Sequence, residues 1–243
     1  MNLKKIFIFC FAIFVCGSIA NALTMGELLV KIQDNQTKIN DMYAETTTTI
    51  SSQLTVTGNQ KGAQKIIQEG RMWTKGDKSK IEMISPTHQI TINNGEKIAI
   101  ISPDTGQKFV QDLSDKSGSQ FGGSSSSQMN LDKAEEYFSL SVTQNASGDY
   151  VVTGVPRESN KILGKVEFYV DPSLWLPNKI LMYSPQGMLI SQSEIKYQKI
   201  SGIWVPLQNI SDVNTPAGSM HIEMEFSNVK VNDGIDDSEF KIE

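Results

Sequence analysis

From residue 46 onward the chain is written in short runs whose positions alternate in polarity, each cut off by turn residues. Such a period of two is the mark of strands with one dry and one wet face. The clearest run sets Met220, Ile222, Met224 and Phe226 against His221, Glu223, Glu225 and Ser227. Near the start, Thr46, Thr48, Ile50, Ser52, Leu54 and Val56 share one face, with Thr47, Thr49, Ser51, Gln53, Thr55 and Thr57 on the other. Its β-branched density suits a strand. Further strands are expected at 66–75, 78–84, 88–93, 96–101, 107–112, 149–155, 165–170, 178–183, 188–198, 203–213 and 219–230, with a short last one at 239–242. Asn94-Gly95, Asp171-Pro172, Pro185-Gln186-Gly187 and Pro216-Ala217-Gly218 punctuate them. The order predicts a mainly β fold of about eleven antiparallel strands in sequential hairpins, curved into an unclosed barrel with helices against one face.

Two segments depart from that period. Residues 23–40 carry Met25, Leu28, Leu29, Ile32 and Ile39 at three-four spacing, and Thr24 with Glu27 forms a capping box. A short helix is expected at 132–140, with Asp132 and Glu135 in the same relation. Between strands and helix, residues 114–130 are rich in Ser and Gly and read as a flexible loop.

The first 22 residues read as an address rather than as fold. Lys4 and Lys5 precede an apolar run from Ile6 to Val15, and Ala20-Asn21-Ala22 is a small-x-small cleavage site. The run is too short for a stable anchor across about 30 Å of hydrocarbon. A signal peptide cleaved after Ala22 and a periplasmic mature chain are expected, with residues 23–243 forming one domain. Acylation of Cys16 is disfavoured, since Val15 stands where a lipobox has a small residue. Cys10 and Cys16 are the only cysteines, so the mature chain has no thiolate chemistry. The formal charge of −5 becomes −7 once Lys4 and Lys5 are removed. An acidic chain argues against nucleic acid and against standing attachment to anionic lipid, and no mature apolar stretch approaches a membrane span.

Chemistry is sparse. The two histidines, His88 and His221, cannot build a metal cluster, and no HExxH, GxSxG or phosphate loop occurs. The Ser124–Ser127 tract lacks the strained elbow and neighbouring base of a nucleophile, and the carboxylate pairs fit solvated faces. Neither enzyme activity, metal nor cofactor is expected. Methionines at 72, 83, 182, 188, 220 and 224 lie in or beside strands, where they suit either core packing or an adaptable apolar cavity.

Four stretches carry a resemblance. They are the N-terminal helix with its Thr/Ser-rich strand; Gln68-Glu69-Gly70-Arg71-Met72-Trp73-Thr74-Lys75; Lys80-Ile81-Glu82 through Ser85-Pro86 to Asn93-Asn94-Gly95-Glu96-Lys97; and Val166 to Asp171-Pro172 with Leu174-Trp175-Leu176-Pro177 and the ending Asp237-Ser238-Glu239-Phe240. In order and spacing the chain resembles the periplasmic outer-membrane lipoprotein carriers, the LolA-like, lipoprotein-sorting family. The resemblance implies a half-barrel under a helical lid that shields acyl chains in the periplasm. It also implies an inner-membrane transporter as donor and an outer-membrane acceptor, the carrier working as a monomer. The alternative on the same fold is a sensor or regulatory module for lipidated or unfolded proteins. Candidate lining is Trp73, Met83, Ile90, Ile92, Ile98, Ile100, Phe168, Met182, Ile190, Met220, Ile222, Met224 and Phe226; lid candidates are Leu28, Leu29, Ile32, Tyr137 and Phe138. One departure is plain: the carriers have an arginine three residues after the strand tryptophan, and here Gly76 stands there.

Intact-mass spectrometry of chain recovered from a periplasmic extract is expected to show Leu23 as the first residue. A mass that retains Lys4 and Lys5 would establish an uncleaved anchor instead.

Overall fold

The computed structural model describes residues 23–56, 60–113, 131–215 and 218–242. The expected signal segment 1–22 and the Ser/Gly-rich stretch 114–130 lie outside them. Among the described residues, thirteen strands form one antiparallel sheet: β1 (Asp41–Val56), β2 (Gln60–Lys75), β3 (Lys78–Ser85), β4 (Gln89–Asn93), β5 (Lys97–Ser102), β6 (Gln107–Asp112), β7 (Phe138–Gln144), β8 (Tyr150–Pro156), β9 (Lys165–Asp171), β10 (Leu176–Tyr183), β11 (Leu189–Ile200), β12 (Ile203–Thr215) and β13 (Gly218–Val231). The spatial order is β6-β5-β4-β3-β2-β1-β13-β12-β11-β10-β9-β8-β7. Every pairing joins neighbours in sequence except β1 with β13. The two edges, β6 and β7, do not meet, so the sheet is unclosed.

Against the expected segments one strand is gained and one is lost. Phe138-Ser139-Leu140-Ser141-Val142 alternates with period two and pairs with β8, so it is strand and not the end of a helix. The second helix, α2, is confined to Leu131–Tyr137. At the other end, 239–242 is not a strand. Asp237–Phe240 forms a 3-10 turn, started by Asp236, whose side chain accepts from the Ser238 amide at 2.8 Å.

The first helix, α1, spans Met25–Gln36 and opens on the anticipated capping box: the Thr24 hydroxyl accepts from the Glu27 amide, and Glu27 accepts from the Thr24 amide at 2.8 Å. Leu28 and Ile32, one turn apart, are buried against Val152 of β8 and Val170 of β9, with Leu29, Ala134 of α2, Val142 and Phe168 packed around them. The β9–β10 turn completes this seat. The Asp171 side chain accepts from the Ser173 amide (2.7 Å) and hydroxyl (2.6 Å), and its carbonyl accepts from the Trp175 amide at 2.7 Å. Trp175, in the left-handed region at φ 55°, stacks on Tyr150, and the Lys31 amine lies 4.3 Å from its ring centre. Asn35, buried one turn after Ile32, donates from Nδ2 to the Leu174 carbonyl at 3.0 Å. This end of α1 is fastened by a backbone carbonyl and an aromatic face. The turn residue Gly76, at φ 58°, has no side chain to pin it and instead donates its amide to the Asn40 carbonyl.

The opposite, outer face carries the C-terminal segment. Lys75 and Lys78 each reach Asp237 at 3.2 Å, and Lys80 pairs with Glu239 at 2.7 Å. Phe240, the last residue of the 3-10 turn, is buried. Asn232 accepts from the amides of Asn40 and Asp41 and donates to the Lys38 carbonyl, closing this segment onto the start of β1.

Replacing Leu28 by Ala empties a fully buried site and is expected to lower unfolding free energy by about 2–5 kcal/mol in urea titrations. The neighbouring Val30→Ala, at an exposed position, is expected to change it by less than about 0.5 kcal/mol. A second expectation concerns pH. Glu167, on the outer face of β9, accepts from Lys165 at 2.7 Å and from the hydroxyls of Tyr169 and Tyr183 at 3.2 Å. Burial pushes its pKa up, but these three donors outweigh it and hold the carboxyl below its usual range. A depressed native pKa stabilises the fold above the ordinary carboxylate range, and that contribution is lost as pH falls through the lowered value. Glu167→Gln is therefore expected to lower the urea midpoint near neutral pH, by a margin that shrinks below about pH 4. A margin independent of pH would contradict this account.

Candidate functional site

Residues directly opposed on neighbouring antiparallel strands point the same way, so the register sorts every strand position to one face. The inner face is defined here as the one that carries α1. From Phe168 it runs through Ile180 of β10, Ser193 of β11 and Ser211 of β12 to Ile222 of β13, then through Ile50 of β1 to Ile66 of β2. A parallel row holds Met224, Thr48 and Gln68. Gly70 opposes both Thr46 and Met83, at a point where a Cβ would run into the Glu82 carbonyl.

Two buried clusters use this face. One lies under α1. The other joins Met42, Met72 and Val205, with Ile81, Leu207 and Phe226 against it. Between them the wall is left partly open. Met220, Ile222, Met224, Ile50, Ile66 and Met83 are half-buried, and neither cluster absorbs them. Toward the sheet edges Met182 and Ile100 are each 38% exposed, and Phe109 of β6 is 59% exposed.

The candidate lining residues divide accordingly. Met83, Ile98, Ile100, Phe168, Met182, Met220, Ile222, Met224 and Phe226 share the inner face, although Phe168 and Phe226 pack into the two clusters. Trp73, Ile90 and Ile92 do not belong with them. Trp73 opposes Lys80, which opposes Ile92, and Ile90 opposes Glu82, so one residue step puts all three on the outer face. There Trp73 sits 5.3 Å from the Tyr43 ring under the Lys80 amine. Ile190 is the extra residue at the register shift where Ser191 opposes Met182 but Leu189 opposes Tyr183. Ile50, Ile66 and Phe109 join the wall without having been singled out. Only the pairing of β1 with β13 places Ile50 beside Ile222, and no local pattern reports it.

Of the lid candidates, Leu28 and Ile32 are the buried face of α1 and Leu29 flanks them. Tyr137, at the end of α2, is exposed, and Phe138 is the first residue of β7, opposite Pro156. A lid role for Phe138 is corrected on that ground.

Both histidines are held by carboxylates on the outer face: His88 Nε2 lies 3.1 Å from Glu82 and His221 Nδ1 2.7 Å from Asp212. No group of three or more His, Cys, Asp or Glu able to hold a metal occurs among the described residues. No described helix is long and apolar enough to cross a membrane. Tyr197, half-buried, has its phenol pushed upward by desolvation and donates to the Pro177 carbonyl at 2.8 Å, an anchoring rather than a reactive role.

Solved structures of similar fold include a DUF1329 family protein from Desulfovibrio piger, 19% identical with a TM-score of 0.62, the match covering 88% of this chain and 95% of that one. A LolA superfamily protein from Nitrosomonas europaea is 16% identical at a TM-score of 0.59, covering 91% and 99%. A putative outer membrane lipoprotein-sorting protein domain from Vibrio parahaemolyticus is 16% identical at 0.61, covering 87% and 95%. These likenesses establish the fold. No curated protein matches the sequence. A family described as "Uncharacterized protein" matches residues 91–243. The chain belongs to that family, and its fold is LolA-like.

Proposed function

We propose that the protein is a periplasmic carrier that holds the acyl chains of lipoproteins or lipids against its inner wall on the way toward the outer membrane. The observation that supports this reading is the row Met220, Ile222 and Met224 with Ile50 and Ile66, left half-buried between two filled clusters on the face that α1 partly covers. An apolar wall of this kind is costly in water, at about 25 cal/mol per Å² of exposed apolar surface. An acyl chain laid on it removes both surfaces from water, each methylene contributing about 0.8 kcal/mol. Met side chains adapt to a flexible guest. Delivery requires release, and α1 supplies a cover held, among the described residues, by one hydrogen bond, one cation–π contact and a small apolar patch. Its opening would cost less than unfolding the sheet. Cargo handed over by an inner-membrane transporter and taken by an outer-membrane acceptor completes the reading. It is a binding function, with the chain from Leu23 working as a single monomeric domain.

An uncharged naphthylamine dye is expected to brighten on the purified protein. Met224→Glu, which sets a carboxylate in the wall, is expected to weaken dye binding at least about tenfold. Met188→Glu, in an exposed turn, is expected to leave it unchanged. A dye that stays dark with the unmodified protein would exclude an acyl-binding wall.

A further inference from the structure

The charges of the sheet are sorted by face. Lys65, Glu69, Glu194, Glu223 and Glu225 occupy outer positions, as do Asp212 and His221. Along the central wall, inner positions between residues 46–52, 64–70, 191–195, 209–213 and 220–226 are all uncharged. They are not all apolar. Beside the apolar row of β13 runs a polar seam on β11 and β12: Ser193 Oγ lies 2.7 Å from Ser211 Oγ, and Ser211 donates to Asn209 Oδ1 at 3.3 Å. Because Ser211 has one proton and gives it to Asn209, Ser193 must donate to Ser211. The relay runs in one direction and ends on the Asn209 amide oxygen. That orientation leaves Asn209 Nδ2 as a donor with no partner among the described residues. Asn209 opposes Met224, so the donor stands one strand spacing, about 4.8 Å, from the apolar row.

We propose that this wall selects an uncharged acyl ester or amide, of the kind found in a glyceride or an N-acylated chain, over a fatty acid anion. The inference rests on the acyl-binding reading above. The guest's hydrocarbon lies along Met220, Ile222 and Met224, and its carbonyl oxygen accepts from Asn209 Nδ2. A carboxylate or phosphate brought to the same place would meet only neutral dipoles. It would lose hydration with no cation to offset the loss, since every basic side chain of these segments is on the other side of the sheet.

The test is displacement of the bound naphthylamine dye at pH 7.5 by monodecanoin and by decanoate, two soluble ligands of equal chain length. Monodecanoin is expected to displace the dye at about tenfold lower concentration. Asn209→Leu is expected to weaken monodecanoin about fivefold relative to decanoate, the worth of one neutral hydrogen bond, each ligand being read against that variant's own dye affinity. Ser211→Lys, placing a cation on the wall, is expected to reverse the preference toward decanoate. Equal potency of the two ligands in the parent protein, or an Asn209→Leu variant that keeps the full preference, would overturn the selectivity and leave the apolar wall standing. Failure of the dye itself to bind would remove the acyl-binding reading and this inference together.

Discussion

The pairing of β1 with β13 holds the molecule together as one sheet. Twelve residue pairs, from Met42 opposite Val231 to Leu54 opposite Gly218, join a six-strand meander to a seven-strand meander. Every other pairing closes a loop between sequence neighbours, whereas this one spans most of the chain and carries the largest ordering entropy. The fold reinforces it from outside the ladder. Asn232 and the Asp41 carboxylate fasten the residues after β13 to the start of β1, and Asp237 and Glu239 carry the tie onward to the lysines of β2 and β3. The wall depends on the same joint, because Ile222 and Ile50 are neighbours only through it.

The two faces meet different demands. The outer face is an electrostatic surface, where carboxylates are matched to lysines, tyrosines and histidines and where the C-terminal segment is bound. The inner face is filled at two places and left thinly covered between them. Helix α1 belongs to one of the filled places. Its seat is the Asp171–Leu176 turn, so a segment that reads as an interruption between two strands serves as the anchor for the helix.

Much of the architecture was legible because it is local. Alternation in Met220–Phe226 and in the Thr-rich run, the Thr24–Glu27 cap, and the turn at Asn94-Gly95 each declare themselves within a few residues. Strand β7 was hidden because Phe138 follows a helical segment without a break, and the helical period was carried three residues too far. The wall was less legible for a different reason. Alternation says that two faces exist, not which one is inner, so Trp73, Ile90 and Ile92 looked as suitable as Met83 and Ile100. The motifs behind the family resemblance mark scaffolding rather than wall. Lys75 and Lys80 meet Asp237 and Glu239, and Leu174-Trp175 receives Asn35 and Lys31. Residues that must meet a partner at fixed geometry leave a recognisable pattern, whereas a surface that needs only to be uncharged and yielding does not.

β13 is the last strand of the sheet in chain order, yet it lies near the middle and supplies the Met220–Met224 row. A nascent chain delivered from its N-terminus can form hairpins β1 through β6 early, each wetting its own faces. The apolar row arrives only with the strand that closes the sheet, so the sticky surface and the joint that shapes it come into being together. Until then a partly synthesised chain has no finished inner wall.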